Sequence, residues 1–212
     1  MRRNELLQSF CDCSENRTGF NHPFLQGKYV IGTDAHVALL LPREEVDSTL
    51  YEKQDKPNMQ LLIGGEKKPL MEISTKDLVA AFRELKDKID NIDRRCQECK
   101  GSGTVEYHYW DRFSDLHTKD LDCPICHGNG ERDIHDFFSK KRYQYIINDK
   151  HSLTYPTMRH IMELIDYFNL EKVTLLQQVC PLEEPFHIID DRFHMVLAPA
   201  LYNHDDDDDE ED

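Results

Sequence analysis

Two copies of one eight-residue pattern, Cys-x-x-Cys-x-Gly-x-Gly, constrain this chain more than anything else in it. They are Cys96-Gln97-Glu98-Cys99-Lys100-Gly101-Ser102-Gly103 and Cys123-Pro124-Ile125-Cys126-His127-Gly128-Asn129-Gly130. Two residues between thiolates let one tight turn present both sulfurs to a single ion, and two such turns complete a tetrahedron. Glycines after the second cysteine let the chain bend sharply and aim backbone N–H groups at the sulfurs. The expectation is one structural zinc ion held by Cys96, Cys99, Cys123 and Cys126. Four thiolates leave zinc no open position, so the site is expected to be structural and not catalytic. A dithiol redox pair and an iron–sulfur cluster are the competing readings. His108, His117 and His127 are nearby alternative ligands, although surface histidines are the simpler reading.

The seven cysteines are odd in number, and four of them sit in Cys-x-x-Cys pairs, which favours metal over a disulfide framework. Cys11, Cys13 and Cys180 read as packing residues, with a metal or redox role for Cys11 and Cys13 as the alternative. No apolar signal-peptide core follows Arg2-Arg3, so a cytoplasmic location is expected. The longest apolar run, about Val37 to Leu41, falls far short of the roughly 20 residues of a membrane span. The formal net charge is -15, of which Asp205 to Asp212 supplies eight negative charges. Residues 204–212 are expected to be a disordered, solvated tail. A sharper reading makes the tail an acidic lure for a basic partner or a local DNA mimic. The acidic balance argues against a dedicated DNA binder, because Arg2-Arg3, Lys67-Lys68, Arg94-Arg95 and Lys140-Lys141-Arg142 are too short to form a basic stripe.

Leu6, Leu7 and Phe10 at helical spacing predict a short amphipathic helix over about Asn4 to Glu15, stopped at Asn16 to Gly19. Phe24 to Pro42 predicts a pair of strands, punctuated by Gly27 and Gly32-Thr33-Asp34, followed by a loop over Arg43 to Asn58. Gln60 to Ile63 adds a candidate strand. Ser74 and Asp77 open a helix in capping-box fashion, and Leu78, Phe82, Leu85, Ile89 and Ile92 give it one apolar stripe. Residues 94–132 are poor in aliphatics and read as an insert between a body of residues 1–93 and 133–203. After it come a strand at Tyr143 to Ile147, a helix opened by Pro156 and Thr157, and strands at Lys172 to Val179, Pro185 to Ile189 and Phe193 to Leu197. Asp190-Asp191 is the turn between the last two. The fold class is α+β.

The paired motifs resemble the cysteine-rich region of DnaJ-type cochaperones, over about Cys96 to Gly130 only. Such cochaperones carry four motifs and a J domain with a His-Pro-Asp signature, whereas this chain has two motifs and no such signature. What carries over is the zinc knuckle, with Tyr107, Tyr109, Trp110 and Phe113 as either contact residues or packing of the insert. The outer frame resembles the bacterial DNA polymerase III β sliding clamp. That likeness rests on Thr33-Asp34-Ala35-His36, similar to the family's Thr-Asp-Gly-His after a strand, and on the helix-and-strand order from Met158 to Leu201. It implies a clamp-like domain built of two similar halves and interrupted by the zinc insert. A full clamp subunit has three such domains, and the implied partners are DNA polymerase or other replication proteins. DNA contact and oligomeric state stay open.

No phosphate loop, nucleophile elbow or open metal motif is present, and Asp34 and His36 would only share a strand face. The expectation is a noncatalytic, clamp-like zinc protein of DNA metabolism. A zinc-dependent DnaJ-like chaperone or adaptor and an acidic decoy are the alternatives.

Overall fold

A computed structural model describes residues 2–12, 20–55, 58–138, 140–179, 185–198 and 200–201. The chain opens with α1 (Arg3–Ser9), whose first turn is tied by the Arg2 backbone N–H donating to the Glu5 carboxylate at 2.7 Å. Leu6 and Leu7 are fully buried. This helix is shorter than its apolar spacing predicts. It ends where Phe10 turns into the core and the Asp12 N–H pairs with the Phe20 carbonyl. The expected stop at Asn16 to Gly19 lies outside the described residues.

Where two strands were expected the chain forms a three-stranded meander, β1 (Phe24–Gln26), β2 (Tyr29–Thr33) and β3 (Val37–Pro42). Gly27, at φ 60°, turns β1 into β2. Gly32 does not punctuate a turn. It lies in β2 under α1, so close that a Cβ there would sit 2.2 Å from the Leu7 carbonyl oxygen. The β2–β3 turn is Asp34-Ala35-His36, whose Asp34 Oδ1 accepts from the His36 and Val37 N–H groups at 2.8 and 2.7 Å. Asp34 and His36 therefore sit in a turn and not on a strand face. Ala35 adopts φ 77°, a left-handed conformation that costs a Cβ-bearing residue about 1–2 kcal/mol. Ala35→Gly should raise stability by about 0.5–1 kcal/mol after glycine's entropy cost, read as a small rise in melting temperature.

Residues 60–63 form α2 (Met59–Ile63) instead of a strand. Met59, Leu62 and Ile63 pack on Phe24, Ile31, Leu40 and Val196, and the Lys67 ammonium donates to the Ile63, Gly64 and Gly65 carbonyls at its end. Then come β4 (Lys67–Ser74) and α3 (Thr75–Asp90), with Ser74 as N-cap accepting from the Asp77 N–H as the sequence predicts. β4 was not anticipated, because its Lys, Glu and Pro residues hide it. It is an edge strand with an irregularity at Pro69, a place where proline is tolerated.

Residues 104–122 form a hairpin, β5 (Thr104–Trp110) and β6 (Leu116–Asp122), as a separate two-stranded sheet. The chain returns through α4 (His135–Phe138), β7 (Gln144–Ile146) and β8 (His151–Thr154) to α5 (Tyr155–Phe168). It then runs β9 (Lys172–Gln178), β10 (Phe186–Asp190), β11 (Phe193–Leu197) and β12 (Ala200–Leu201). The main sheet has the order β1-β2-β3-β11-β10-β9-β4, and β12-β8-β7 form a second sheet.

A helix followed by a three-stranded meander thus occurs twice: α1 with β1, β2 and β3, and α5 with β9, β10 and β11. The halves meet where β3 pairs antiparallel with β11, which relates them by a local two-fold. One sheet face packs against α1, α3 and α5 over Val30, Leu39, Phe186, Met195 and Leu197. A second buried cluster covers the opposite face under α2. Among the described residues no helix is long and apolar enough to cross a membrane. The tail, residues 204–212, lies outside them.

Two polar networks, one buried and one half-buried, tie this body together. His187 donates through Nε2 to the Gln178 amide oxygen at 2.9 Å, which leaves its Nδ1 to accept from His194 Nε2 at 2.9 Å. Burial and mutual repulsion, with Lys67 nearby, push His187 down to about 3, and burial pushes His194 down to about 4. His160 has the opposite shift. Burial opposes its charge, but Asp34 and Glu163, 3.8 and 3.5 Å away, overcome that and raise it. Ser9 completes this second cluster, donating to Glu163 at 2.9 Å. The depressed pair contributes stability that is fully present above the unfolded value near 6.5 and is lost as pH falls from there towards 4. His160 contributes stability that is full below 6.5 and is lost as pH rises through its raised value. At about 1.4 kcal/mol per unit, acidification from pH 6.5 to 4 should cost on the order of 3 kcal/mol through each histidine, about 5 kcal/mol through the pair. The imidazole resonances of His187 and His194 should not titrate between pH 7.5 and 5, the check on this assignment.

Candidate metal centre

Each Cys-x-x-Cys-x-Gly-x-Gly segment folds into the same knuckle. After the second cysteine, Lys100 and Gly101 take φ 53° and 88°, and His127 and Gly128 take 51° and 87°. Gly103 and Gly130, again at positive φ, then swing an N–H onto the sulfur four residues back. Gly103 N lies 3.3 Å from Cys99 Sγ and Gly130 N lies 3.2 Å from Cys126 Sγ. The knuckles also lock onto each other reciprocally. Cys96 N donates to the Gly130 carbonyl at 2.9 Å and Cys123 N to the Gly103 carbonyl at 2.8 Å. The glycines at these contacts have no space for a side chain: a Cβ on Gly103 would lie 2.3 Å from the Gly128 oxygen, and one on Gly130 2.5 Å from the Gly101 oxygen.

This pseudo-two-fold lock brings the four thiols together. All four are buried, and their sulfurs lie within 4.8 Å of one another. Cys96 and Cys123 are 3.8 Å apart, and Cys99 and Cys126 are 3.7 Å apart. A tetrahedron with metal–sulfur bonds of about 2.3 Å, the zinc–thiolate value, has edges of about 3.8 Å. Those separations are far longer than the roughly 2.0 Å of a disulfide. The set could hold one metal ion. Electrostatics point the same way. Burial opposes ionisation of Cys99, but the Gly103 and Gly101 N–H groups and the neighbouring thiols draw its pKa below that of a free thiol. Burial and the neighbouring thiols push Cys126 up, against the Gly130 N–H that lowers it. Four thiols this close repel one another when ionised, and a cation between them removes that repulsion.

The alternative ligands stand apart from this cluster. His108 contacts Glu106 at 2.9 Å, His117 contacts Asp111 at 3.1 Å, and His127 occupies the exposed turn. Cys11 is also elsewhere, its thiol donating to the Leu7 carbonyl at 3.5 Å, and Cys13 and Cys180 lie outside the described residues. Tyr107, Tyr109, Trp110 and Phe113 do not pack the insert, since all four are exposed on the hairpin. The hairpin itself was missed by the sequence reading, although Thr, Val, Tyr and Trp in Thr104–Trp110 carry strand signal. The Asp34–His160–Glu163 cluster was also missed, because its members come together only in the tertiary fold.

No protein-family model matches this sequence, and no curated protein matches it. Three solved structures, of DNA polymerase III beta chains and a beta clamp, are similar to it. One is described as a DNA polymerase III beta subunit from Eubacterium rectale, at 10% identity and a TM-score of 0.46, covering 94% of this chain and 64% of that one. The DNA polymerase III beta chain from Streptococcus pneumoniae gives 12% identity and 0.42, covering 93% and 62%. The Helicobacter pylori beta clamp bound to a DNA ligase peptide gives 9% and 0.45, covering 93% and 62%. The chain thus spans less than two-thirds of the length of each.

Proposed function

We propose that this chain is a noncatalytic, sliding-clamp-like protein of DNA replication or metabolism that acts through macromolecular contacts, and that Cys96, Cys99, Cys123 and Cys126 hold one structural zinc ion. In this reading residues 94–132 are the zinc insert in a body of residues 1–93 and 133–203. The observation that carries the clamp-like part is the repeated helix-plus-meander unit joined across β3 and β11, together with the Thr33-Asp34-Ala35-His36 turn. The four-thiol set supports a structural metal, because it leaves no coordination position for a substrate.

Charge on the helices shifts the weight from DNA towards protein partners. α3 carries four cations and four carboxylates, with Lys86 paired to Asp90 and Lys88 to Glu84, and on α5 Arg159 pairs with Glu163. Neither helix offers the unopposed basic stripe that tracking a phosphate backbone requires. Polymerase subunits or their clamp-binding peptides are the expected partners. Binding of such peptides to the zinc-loaded protein supports this reading, and failure of every one to bind sinks it. Light scattering adds the oligomeric state: a closed multimer favours a ring, a monomer an adaptor. The exposed aromatics of the hairpin favour a second reading, a zinc-dependent chaperone or adaptor. That reading requires the protein to suppress aggregation of an unfolded client and Cys99→Ser to abolish the effect.

A further inference from the structure

Among the described residues, seven of the eleven exposed large hydrophobics fall in residues 107–125. The hairpin that carries most of them is about 20 Å long on seven-residue strands, and all of its strand residues but the half-buried Val105 are exposed. Its even-numbered β5 residues and their cross-strand partners share one face. From the tip inward that face reads Trp110 opposite Leu116, His108 opposite Thr118, Glu106 opposite Asp120, and Thr104 opposite Asp122. Trp110 and Leu116 are 69% and 50% exposed, and Phe113 in the connecting loop is 70% exposed.

Two features of this face are costs to an isolated hairpin. Large apolar groups stand in water at its tip, and Glu106, which His108 contacts at 2.9 Å, faces Asp120 directly, a like-charge pairing that destabilises a sheet. Both costs are relieved by one kind of neighbour: an apolar recess with basic side chains beside it. The whole hairpin has that polarity, with Glu106, Asp111, Asp115, Asp120 and Asp122 against Arg112 and Lys119 alone. Arg112 is folded over the Phe113 ring, 4.7 Å from its centroid. A nucleic-acid strand or an anionic membrane would meet net repulsion here. So would a second copy of this acidic chain.

We propose that the face bearing Trp110, Leu116, Glu106 and Asp120 docks a partner protein that offers an apolar socket with lysines or arginines about 13 Å away. That distance is four residues along a strand. Trp110 and Leu116 fill the socket with Phe113 at its margin, and the Glu106–Asp120 pair meets the cations. This requires the four-cysteine centre to hold the hairpin's base, but not a role in replication.

Trp110 is the chain's single tryptophan, so its fluorescence reports on this face alone. The full-length, zinc-loaded protein is titrated with a designed amphipathic helix bearing leucines on one face and lysines beside them. Controls are the same helix with glutamates for lysines, oligothymidine, and phosphatidylglycerol vesicles. The expected result is a saturable blue shift of Trp110 with the Leu/Lys helix only. It should weaken about tenfold or more in Glu106→Lys/Asp120→Lys and in Leu116→Ser, variants that still carry one zinc per chain. Removing residues 204–212 should leave it unchanged. No shift, an equal shift with the Leu/Glu helix, a shift with vesicles or oligothymidine, or indifference to these variants would each overturn the proposal. Because zinc content and polymerase-peptide binding are measured separately, its failure is distinguishable from theirs.

Discussion

Cys99→Ser is expected to release the metal and unravel the hairpin while leaving the body folded. Structural zinc in small modules supplies about 10–16 kcal/mol at neutral pH, and a three-thiolate site keeps only part of that. The loss falls on residues 94–132, because the four-cysteine cluster has little apolar support: among the described residues Val105 is the one hydrophobic side chain packed against it. A two-stranded hairpin with no third strand is marginal without such a base. Amide exchange should become fast throughout Thr104–Trp110 and Leu116–Asp122, while Val37–Pro42 and Phe193–Leu197 keep their protection. Zinc per chain should fall to near zero. Cys11→Ser, which alters a thiol outside the cluster, should change neither reading. A Cys99→Ser protein that retains zinc and hairpin protection contradicts the assignment.

Gly32→Ala should be the most damaging small change in the body. β2 passes beneath α1 with no gap, and the new methyl would meet the Leu7 carbonyl oxygen at 2.2 Å and its carbon at 3.0 Å. Both are backbone atoms, so no rotamer change relieves the clash. α1 must move, which pulls the fully buried Leu6, Leu7 and Phe10 out of register with the sheet. It also stretches Ser9 away from Glu163 and Phe10 away from the His160 ring, now 4.4 Å between centroids. Overpacking of this kind costs about 1–3 kcal/mol, and with three core side chains displaced about 3 kcal/mol or more is expected. Denaturant unfolding measures it. A Gly32→Ala midpoint within error of the parent would mean that α1 is not seated on β2 as described.

The four-cysteine cluster was legible in the sequence because the spacing is local chemistry: two turns of eight residues specify both the sulfurs and the glycines that point N–H groups at them. Strands β9, β10 and β11 and helices α3 and α5 were legible for a similar reason, since apolar period and caps are properties of a short window. The errors came where the deciding contact is distant. Residues 59–63 satisfy either period, and only the apolar face of Phe24, Ile31 and Val196, with Lys67 at the helix end, makes them helical. β4 carries Lys, Pro and Glu because it is an edge, and an edge reads as a loop. Gly32 was read as turn chemistry when it marks a close approach between a strand and a helix 25 residues earlier in sequence. The Asp34–His160 and His187–His194 clusters join residues far apart in the chain or buried on one sheet face, and single-window patterns carry no trace of them.

The central claim is that four cysteines of one chain close on one structural metal, and X-ray absorption at the zinc edge on the purified full-length protein tests it most directly. The account predicts one zinc per chain with a first shell of four sulfurs at about 2.3 Å and no nitrogen or oxygen neighbour. A mixed sulfur and nitrogen shell would bring His108, His117 or His127 back as ligands, and a protein that folds its hairpin with no bound metal would contradict the claim outright.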